Sequence, residues 1–354
     1  MQSSEPKSKT GTDTAKLHGS GELALLEAIR ARAEGLGRPK PKSRVQLGIG
    51  DDCALLRPRA GEELAVTTDL SIEGRHFRLD WHPPESVGHR TLARGLSDLA
   101  AMGARPVAAF LSLGIPRGLT VTDANSAANS AAWVTRFLDG LMALAAEHRV
   151  PLAGGDLAES PIAIADIVLT GAVPQGEALL RSGARPGDRI YVTGTLGGAA
   201  AELAALEASP ASFAGATAAG GPAPHLYPQP RVAQGLWLRK RGLASAAMDL
   251  SDGLSTDLAH LCEESGVAAE VVAAALPLGT GATLALALHG GEDYELLFTA
   301  PAAAKIPRRI DGVLVTAIGR IRARKAGAPA AILRTEKGPM PLESRGWEHF
   351  SATK

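Results

Sequence analysis

The chain has 354 residues, and its 37 Lys and Arg residues balance its 37 Asp and Glu residues, so the net charge is zero. Proteins that bind nucleic acids or membrane surfaces normally carry a basic excess, so the composition argues against both classes. Two cysteines are too few for a disulfide framework or a cysteine-rich zinc site. Hydrophobic residues make up 45% of the chain, which is enough for the cores of two domains.

The first 19 residues are polar and predict a disordered tail. They lack the apolar segment of a secretion signal, and no run of about 18 apolar residues predicts a transmembrane helix. We therefore expect a cytoplasmic protein with no membrane partner.

Hydrophobic periodicity predicts alternating strands and helices in the first half of the chain. Leu23, Leu26, Ile29 and Ala33 recur at helical spacing after Ser20. Further on, the pattern predicts a strand at 63–68, a helix at 85–102, a strand at 107–115, a helix at 123–147 and a strand at 162–173. Strands and helices mix without strict βαβ alternation, which favours an α+β fold.

The composition changes near residues 174–187, where Pro and Gly accumulate and predict a domain boundary. We therefore expect an N-terminal domain at 20–175 and a C-terminal domain at 176–354, the latter opening with a strand at 188–194. Residues 207–230 are rich in Ala, Pro and Gly and predict a long surface loop within the second domain.

Acidic residues next to Gly, Ser or Thr recur, mostly where the pattern predicts turns or strand ends. They are Asp51, Asp52, Asp69, Asp98, Asp156, Asp249, Asp252, Glu292 and Asp293. Any one of them can be an ordinary turn or cap residue. Asp98 differs, because it stands between Leu96 and Leu99 in an apolar helical segment, where a buried carboxylate needs a partner. The recurrence favours one shared site.

Carboxylates brought close together repel one another unless a cation neutralises them. Mg²⁺ favours oxygen ligands and is commonly shared between carboxylates and substrate phosphates, and Thr67 and Thr68 offer further oxygen atoms. The chain has no Cys/His cluster at zinc-ligand spacing. The pattern therefore predicts a magnesium site.

Glycine-rich turns beside these acids suit phosphates, and Gly154 and Gly155 precede Asp156 directly. The chain has neither a P-loop motif nor the protein-kinase motifs. Arg181 is either a solvated side chain or a charge clamp on a triphosphate. His76 is either a packed or surface side chain or a functional residue. Because no Ser/His/Asp or Cys/His arrangement is recognisable, we expect phosphate chemistry without a covalent nucleophile, with the acceptor still open.

Taken in order, the motifs resemble those of the thiamine-monophosphate kinase family over about residues 21–350. They are GIGDDCALL, TTDLSIEGRHF, LSDLAAMGA, GGD, RSGARPGD, DLSDGL, GGEDYEL and GWEHF. Single pieces, such as SDLAAMGA and GGD, are shared more widely within the aminoimidazole-ribonucleotide synthetase superfamily.

The resemblance implies the two-domain α+β architecture of that superfamily and a homodimer formed through the N-terminal domains. It also implies transfer of the γ-phosphoryl group of ATP to thiamine monophosphate with several Mg²⁺ ions, giving thiamine diphosphate. By the same resemblance, the metal ligands are Asp52, Thr67, Thr68, Asp69, Asp98, Asp156, Asp249 and Asp252. The ATP contacts are Gly155, Asp156, Arg181 and Ser251, and the thiamine-phosphate contacts are His76, Glu292 and Trp347.

The chain departs from the family pattern after GGD, where Leu157 and Ala158 stand in place of threonines, and before GGD, where no aromatic residue is evident. The adenine contacts are therefore left unassigned. Trp347 has two interpretations: it pins the C-terminal tail to the second domain, or it stacks on the rings of thiamine.

Two alternatives remain open at this point. One is another ATP-using enzyme of the superfamily, such as selenophosphate synthetase, which would need a reactive Cys or selenocysteine in an N-terminal Gly-rich segment. The other is a catalytically silent nucleotide-sensing protein, which the loss of several carboxylates would have favoured. The N-terminal tail has no such Cys, and all the carboxylates are present.

Overall fold

The computed structural model describes residues 27, 29–33, 44–49, 53–120, 133–213, 215–217 and 223–347. The predicted N-terminal tail, and the first part of the helix predicted at 123–147, lie outside these residues. Residues 29–33 are helical, in agreement with the first predicted helix.

The first half of the chain forms a four-stranded sheet with two helices packed on one face. Before this sheet, Val45–Leu47 (β1) and Leu55–Leu56 (β2) form a short antiparallel pair. The sheet has the order β3-β6-β4-β5, with only β4 and β5 parallel. Its strands are Glu62–Ile72 (β3), Arg105–Ile115 (β4), Leu152–Glu159 (β5) and Ile164–Pro174 (β6), and its helices are Pro84–Ala101 (α1) and Trp133–His148 (α2).

Side chains alternate along β3, as the two-residue period of a strand requires. Thr67 and Asp69 are half-buried on the face toward α1, whereas Leu64, Val66 and Leu70 are exposed on the opposite face. The sheet therefore has one face covered by helices and one face with exposed apolar side chains on β3.

The second half forms a larger sheet, in the order β14-β13-β9-β12-β7-β10-β8 with β11 paired to β12. Its strands are Arg189–Thr193 (β7), Ala246–Asp249 (β8), Val267–Val272 (β9), Leu296–Ala300 (β10), Arg309–Ile310 (β11), Val313–Ala323 (β12), Ala331–Thr335 (β13) and Gly338–Pro341 (β14). Its helices are Gly198–Ala208 (α3), Val232–Arg241 (α4), Leu254–Glu264 (α5) and Leu284–His289 (α6). Mostly antiparallel sheets with helices between the strands confirm the predicted α+β class.

Helix α1 packs against both halves of the molecule. Its residues Leu92, Leu96 and Leu99 are almost fully buried in a core that also contains Phe298 of β10. On its other side α4 approaches so closely that a Cβ atom at Gly235 would lie 1.9 Å from the carbonyl oxygen of Ala100, so the position requires glycine. Side chains of α1 can therefore reach both sheets.

The prediction that residues 207–230 are a surface loop is wrong for the last part of this segment. Leu226 is fully buried, and His225 and Tyr227 are nearly so. Leu226 and Tyr227 form a small apolar cluster with Leu206 of α3. The composition of the segment did not indicate this, because it is dominated by Ala, Pro and Gly. Three large side chains at its end are enough to bury this part of the segment.

No helix within the described residues is long and apolar enough to cross a membrane.

Candidate active site

A cavity of about 570 Å³ lies beside α1, where the two halves of the molecule meet. It is lined by acidic residues from both halves, by arginines and histidines, and by aromatic side chains. The acids are Asp69, Asp98, Asp249, Asp252 and Glu292, and the aromatic residues are Phe77, Trp81, Tyr294 and Trp347. A pocket that combines apolar walls with a few convergent charged groups is the usual form of a small-molecule site.

Three of these carboxylates, Asp69, Asp98 and Asp249, form what we call the acidic cluster. Asp69 lies on β3, Asp98 on α1 and Asp249 at the end of β8. The hydroxyl of Thr67 donates a hydrogen bond to Oδ2 of Asp98, and Oγ of Ser97 donates to Oδ2 of Asp249 at 2.8 Å. Two neighbouring positions of α1 thus bind a carboxylate of the second half and a hydroxyl of the first.

Burial raises the pKa of all three carboxyl groups of the acidic cluster. The pKa of Asp69 rises to about 6, where Arg94 opposes the effect of burial and Asp98 adds to it. The pKa of Asp249 rises to about 7, and repulsion from Asp98 is the second cause. Burial also raises the pKa of Asp98, against the hydrogen bond from Thr67. A cation placed here would stabilise the ionised forms.

A tight turn between β8 and α5 brings Ser251 and Asp252 to the cavity. The backbone N–H groups of Asp252 and Gly253 donate to Oδ2 of Asp257, at 3.1 and 3.0 Å, which fixes the turn. The backbone N–H of Trp347 donates to the carbonyl of Asp252 at 3.0 Å. The C-terminal segment is therefore tied to this turn, and the indole of Trp347, 38% exposed, lines the cavity.

Glu292 belongs to a second group of charged residues, which we call the Glu292 cluster: His82, Arg90, His225 and Glu292. Arg90 Nη2 donates to Glu292 Oε1 at 2.6 Å, and Nδ1 of His225 lies 3.1 Å from Oε2. Burial alone would raise the pKa of Glu292, but Arg90 and His225 together lower it well below its usual range. Glu292 therefore remains a carboxylate whose charge is compensated inside the protein.

Two family models match the chain: "AIR synthase related protein, N-terminal domain" at residues 50–180 and "AIR synthase related protein, C-terminal domain" at residues 185–329. The thiamine-monophosphate kinase of Escherichia coli (strain K12) is 40% identical over 319 residues, which cover 87% of this chain and 93% of that protein. The chain belongs to the thiamine-monophosphate kinase family. The resemblance inferred from the ordered motifs is thereby confirmed.

Solved structures agree with this family. The thiamine-monophosphate kinase of Stenotrophomonas maltophilia K279a is 37% identical, with a TM-score of 0.71 over 87% of this chain and 95% of that one. The structure of AaThiL complexed with AMPPCP and TMP is 28% identical, with a TM-score of 0.68 over 93% of this chain and 97% of that one.

Most of the positions that the family resemblance assigned lie at the cavity. Those that line it are Asp69, Asp98, Asp249, Asp252, Ser251, His76, Glu292 and Trp347. Thr67 does not line it, but donates a hydrogen bond to Asp98. His76 is held by the backbone N–H of Ile72, which donates to its Nδ1 at 3.0 Å. Asp52 lies outside the described residues.

Four other assigned residues do not line this cavity of the described chain. Thr68 is exposed on the face of β3 that points away from α1, because neighbouring residues of a strand alternate. Asp156 and Gly155 are exposed on β5, the strand at the far edge of the sheet from β3. Arg181 is exposed, although its positive charge partly opposes the rise in the pKa values of Asp98 and Asp249.

Gly155 is required by the neighbouring strand. Its φ is +149°, and a Cβ atom there would lie 1.8 Å from the carbonyl oxygen of Leu111 on β4. The close approach of a phosphate at this glycine stays a prediction, and packing against Leu111 is a separate reason for glycine here.

The arginines of α1 and the histidines of the Glu292 cluster were not among the residues predicted from the sequence. Arg90, Arg94 and Asp98 are spaced four residues apart and therefore share one face of α1. Arg94 lies in the cavity, where its Nη2 is 3.3 Å from Oδ1 of Asp69. The four-residue spacing from Asp98 could have indicated these arginines from the sequence. No pattern in the Ala- and Pro-rich sequence around His225 indicates a functional residue there.

Proposed function

We propose that this chain transfers the γ-phosphoryl group of ATP to the phosphate of thiamine monophosphate, giving thiamine diphosphate. The observation that carries the proposal is that one cavity contains both the acidic cluster and the pair Glu292 and Trp347. The acidic cluster suits metal-bound phosphates, and the pair suits a cationic aromatic ligand. AaThiL, which has the same fold, is complexed with AMPPCP and TMP.

Mg²⁺ fits this donor set. Asp69 and Asp98 are half-buried and Asp249 is buried, and burial raises the pKa of all three carboxyl groups. Their carboxylates repel one another, and a divalent ion would relieve that repulsion. Among the described residues, no three His, Cys, Asp or Glu side chains converge on one metal position. Substrate phosphates would supply the remaining oxygen ligands, as is common for Mg²⁺. The ions would offset the repulsion between the two phosphates.

The residues of the chain then act by positioning and charge. The acceptor is a phosphate that is ionised at neutral pH, so the reaction needs no strong general base and no covalent nucleophile. Arg94 places a fixed positive charge in the cavity beside Asp69. The indole of Trp347 offers a flat face to the thiamine rings, and Glu292 offers a carboxylate to the cationic ligand.

The other positions implied by the family are proposed on the resemblance. They are Asp52, Thr68 and Asp156 as further metal ligands, and Gly155, Asp156, Arg181 and Ser251 as ATP contacts. Ser251 has the most direct structural support, because it lines the cavity and its carbonyl accepts a hydrogen bond from the backbone N–H of Glu292 at 2.7 Å. A cytoplasmic location and the lack of nucleic-acid and membrane partners stay predictions.

We also propose a homodimer formed through the N-terminal domain, at 20–175. On the face of β3 that points away from α1, Leu64, Val66 and Leu70 are 41%, 63% and 44% exposed. A row of large exposed apolar side chains on a sheet face is typical of an interface, and a second copy could cover it symmetrically. Sedimentation analysis should give a dimer for the wild type and a monomer for Val66→Lys; a monomeric wild type would contradict this proposal.

The kinase proposal is tested with purified protein, ATP, Mg²⁺ and thiamine monophosphate. Thiamine diphosphate should form with one ADP released per molecule of product, and EDTA should abolish its formation. Formation of ADP without thiamine diphosphate, or no turnover in any buffer with Mg²⁺, would contradict the proposal.

A further inference from the structure

Within the segment 223–230, the side chain of His225 lines the cavity. Its imidazole is 2% exposed. The backbone N–H of His225 donates to Oε2 of Glu202 at 2.7 Å, which ties the segment to α3. Next to it, the hydroxyl of Tyr227 donates to the carbonyl of Ala216 at 2.9 Å. The backbone that carries the imidazole is therefore fixed by hydrogen bonds outside the cavity.

The hydrogen bonds around His225 determine which ring nitrogen carries the proton. Nε2 lies 3.0 Å from Nη1 of Arg90, which can only donate, so Nε2 accepts. Nε2 is also 3.0 Å from Nε2 of His82, which donates to it when Nδ1 of His82 accepts from the backbone N–H of Arg78 at 3.1 Å. A neutral His225 therefore carries its proton on Nδ1.

The Nδ1 proton of His225 faces Glu292. Nδ1 has no well-aligned hydrogen-bond partner among the described residues, and Oε2 of Glu292 lies 3.1 Å away, close enough for a small shift of either side chain to complete the bond. Arg90 occupies the other carboxylate oxygen, Oε1, at 2.6 Å. Each carboxylate oxygen can accept more than one hydrogen bond, and the side chain of Glu292 is 25% exposed, so it can still contact a ligand.

The backbone of Glu292 also needs support. Its φ is +65°, an unfavourable conformation for a residue with a side chain. The backbone of Glu292 is thus strained, Arg90 donates to one of its carboxylate oxygens, and Nδ1 of His225 lies 3.1 Å from the other. Those donors come from separate parts of the chain, Arg90 from α1 and His225 from the segment before α4.

We propose that His225 is a positioning residue, which fixes the carboxylate of Glu292 in the orientation that receives thiamine monophosphate. This inference rests on the proposed function, and it gives the segment 223–230 a part in acceptor binding. His225 acts through Glu292 and has no chemical role in the transfer. Its loss should therefore weaken acceptor binding and leave ATP binding unchanged.

Two substitutions separate the two ring nitrogens. In His225→Asn, the side-chain amide nitrogen can occupy the place of Nδ1 and still donate to Glu292. In His225→Gln, the amide reaches the place of Nε2 and leaves no donor at the place of Nδ1. Both variants stay polar, so a difference between them does not come from the burial of an apolar group. Tyr227→Phe is the matched control, because it removes a hydrogen bond of the same segment outside the cavity.

Steady-state kinetics with ATP and thiamine monophosphate should show a KM for thiamine monophosphate about tenfold higher in His225→Gln, the size expected for one hydrogen bond to a charged group. His225→Asn should stay within about threefold of the wild type, and Tyr227→Phe should match it. The KM for ATP should not change in any of the three variants. In a Glu292→Gln background, adding His225→Gln should raise KM by less than about twofold, because the two residues act as one unit.

The inference is overturned if His225→Asn and His225→Gln raise the KM equally, or if His225→Gln has the same effect with and without Glu292→Gln. A wild-type protein that makes no thiamine diphosphate removes the proposed function, and this inference with it. A wild type that is active, together with a His225→Gln variant of unchanged KM, overturns this inference alone.

Discussion

The acidic cluster and the Glu292 cluster line the same cavity, yet their carboxylates behave in opposite ways. The pKa values of Asp69 and Asp249 are raised to about 6 and about 7, whereas the pKa of Glu292 is held well below its usual range. Burial raises the pKa of every one of these groups, so burial does not explain the difference. The charged neighbours explain it. Asp98 repels Asp69 and Asp249, and Arg94 opposes this only at Asp69 and Asp98, whereas Arg90 and His225 both stabilise the ionised form of Glu292.

The comparison shows how one cavity can serve two kinds of ligand. The acidic cluster has an excess of negative charge that Arg94 and Arg181 compensate only in part, which suits added cations and the phosphates they carry. The Glu292 cluster is compensated internally and fixed in orientation, which suits recognition of one particular molecule. Arg94 interacts electrostatically with both clusters.

The largest expected effect is on turnover when the acidic cluster loses a charge. Asp98→Asn keeps the shape of the side chain and still accepts the hydrogen bond from Thr67, but removes the carboxylate that we propose as a metal ligand. We expect kcat to fall by about a hundredfold or more, because several kcal/mol of charge stabilisation are lost at roughly 1.4 kcal/mol per factor of ten. Measured kcat within about threefold of the wild type would refute the metal assignment.

The next effect concerns the free energy of unfolding, which should fall when the Glu292 cluster loses a charge but not when the acidic cluster does. Glu292→Gln leaves the buried guanidinium of Arg90 without its counter-charge and should lower the free energy of unfolding by about 3 kcal/mol. Asp98→Asn removes a like charge and should leave that free energy unchanged or higher in Mg²⁺-free buffer. Chemical denaturation of both variants without Mg²⁺ tests this, and equal losses in both would remove the distinction between the clusters.

A smaller effect is expected at Trp347. Trp347→Ala should raise the KM for thiamine monophosphate several-fold with little change in the KM for ATP, because an indole face contributes roughly 0.5–2 kcal/mol to binding a cation. Trp347→Phe should be milder. Melting temperatures serve as the control: equal weakening of both substrates with a large drop in Tm would mean that Trp347 only pins the C-terminal segment.

Local patterns predicted the main elements of the first half of the chain. The helix expected at 85–102 is Pro84–Ala101, and the strand expected at 107–115 is Arg105–Ile115. Both have long apolar patterns with clear ends, which is where periodicity works best. Asp98 was predicted to be a functional carboxylate because it stands in an apolar helix. In the structure it lines the cavity, with Thr67 of the first half and Asp249 of the second half beside it.

The remaining features depend on contacts between distant parts of the chain. Arg90 and Glu292 are 202 residues apart, and no local pattern connects them. Asp293, next to Glu292 in the same motif, accepts from the backbone N–H of Gly197 at 2.7 Å and so serves the start of α3. Glu292 and Asp293 are adjacent in the chain, but Glu292 lines the cavity and Asp293 caps a helix. Their roles follow from the fold and not from the local sequence.

The most direct test of the account is a comparison of two acceptors, thiamine monophosphate and free thiamine, at saturating ATP and Mg²⁺. If the acidic cluster and its metal ions hold the acceptor through its phosphate, kcat/KM for thiamine monophosphate should exceed that for thiamine by about a hundredfold or more, the range of several lost charge contacts. Equal kcat/KM values for the two acceptors would contradict it, because the acceptor phosphate would then have no role in the cavity.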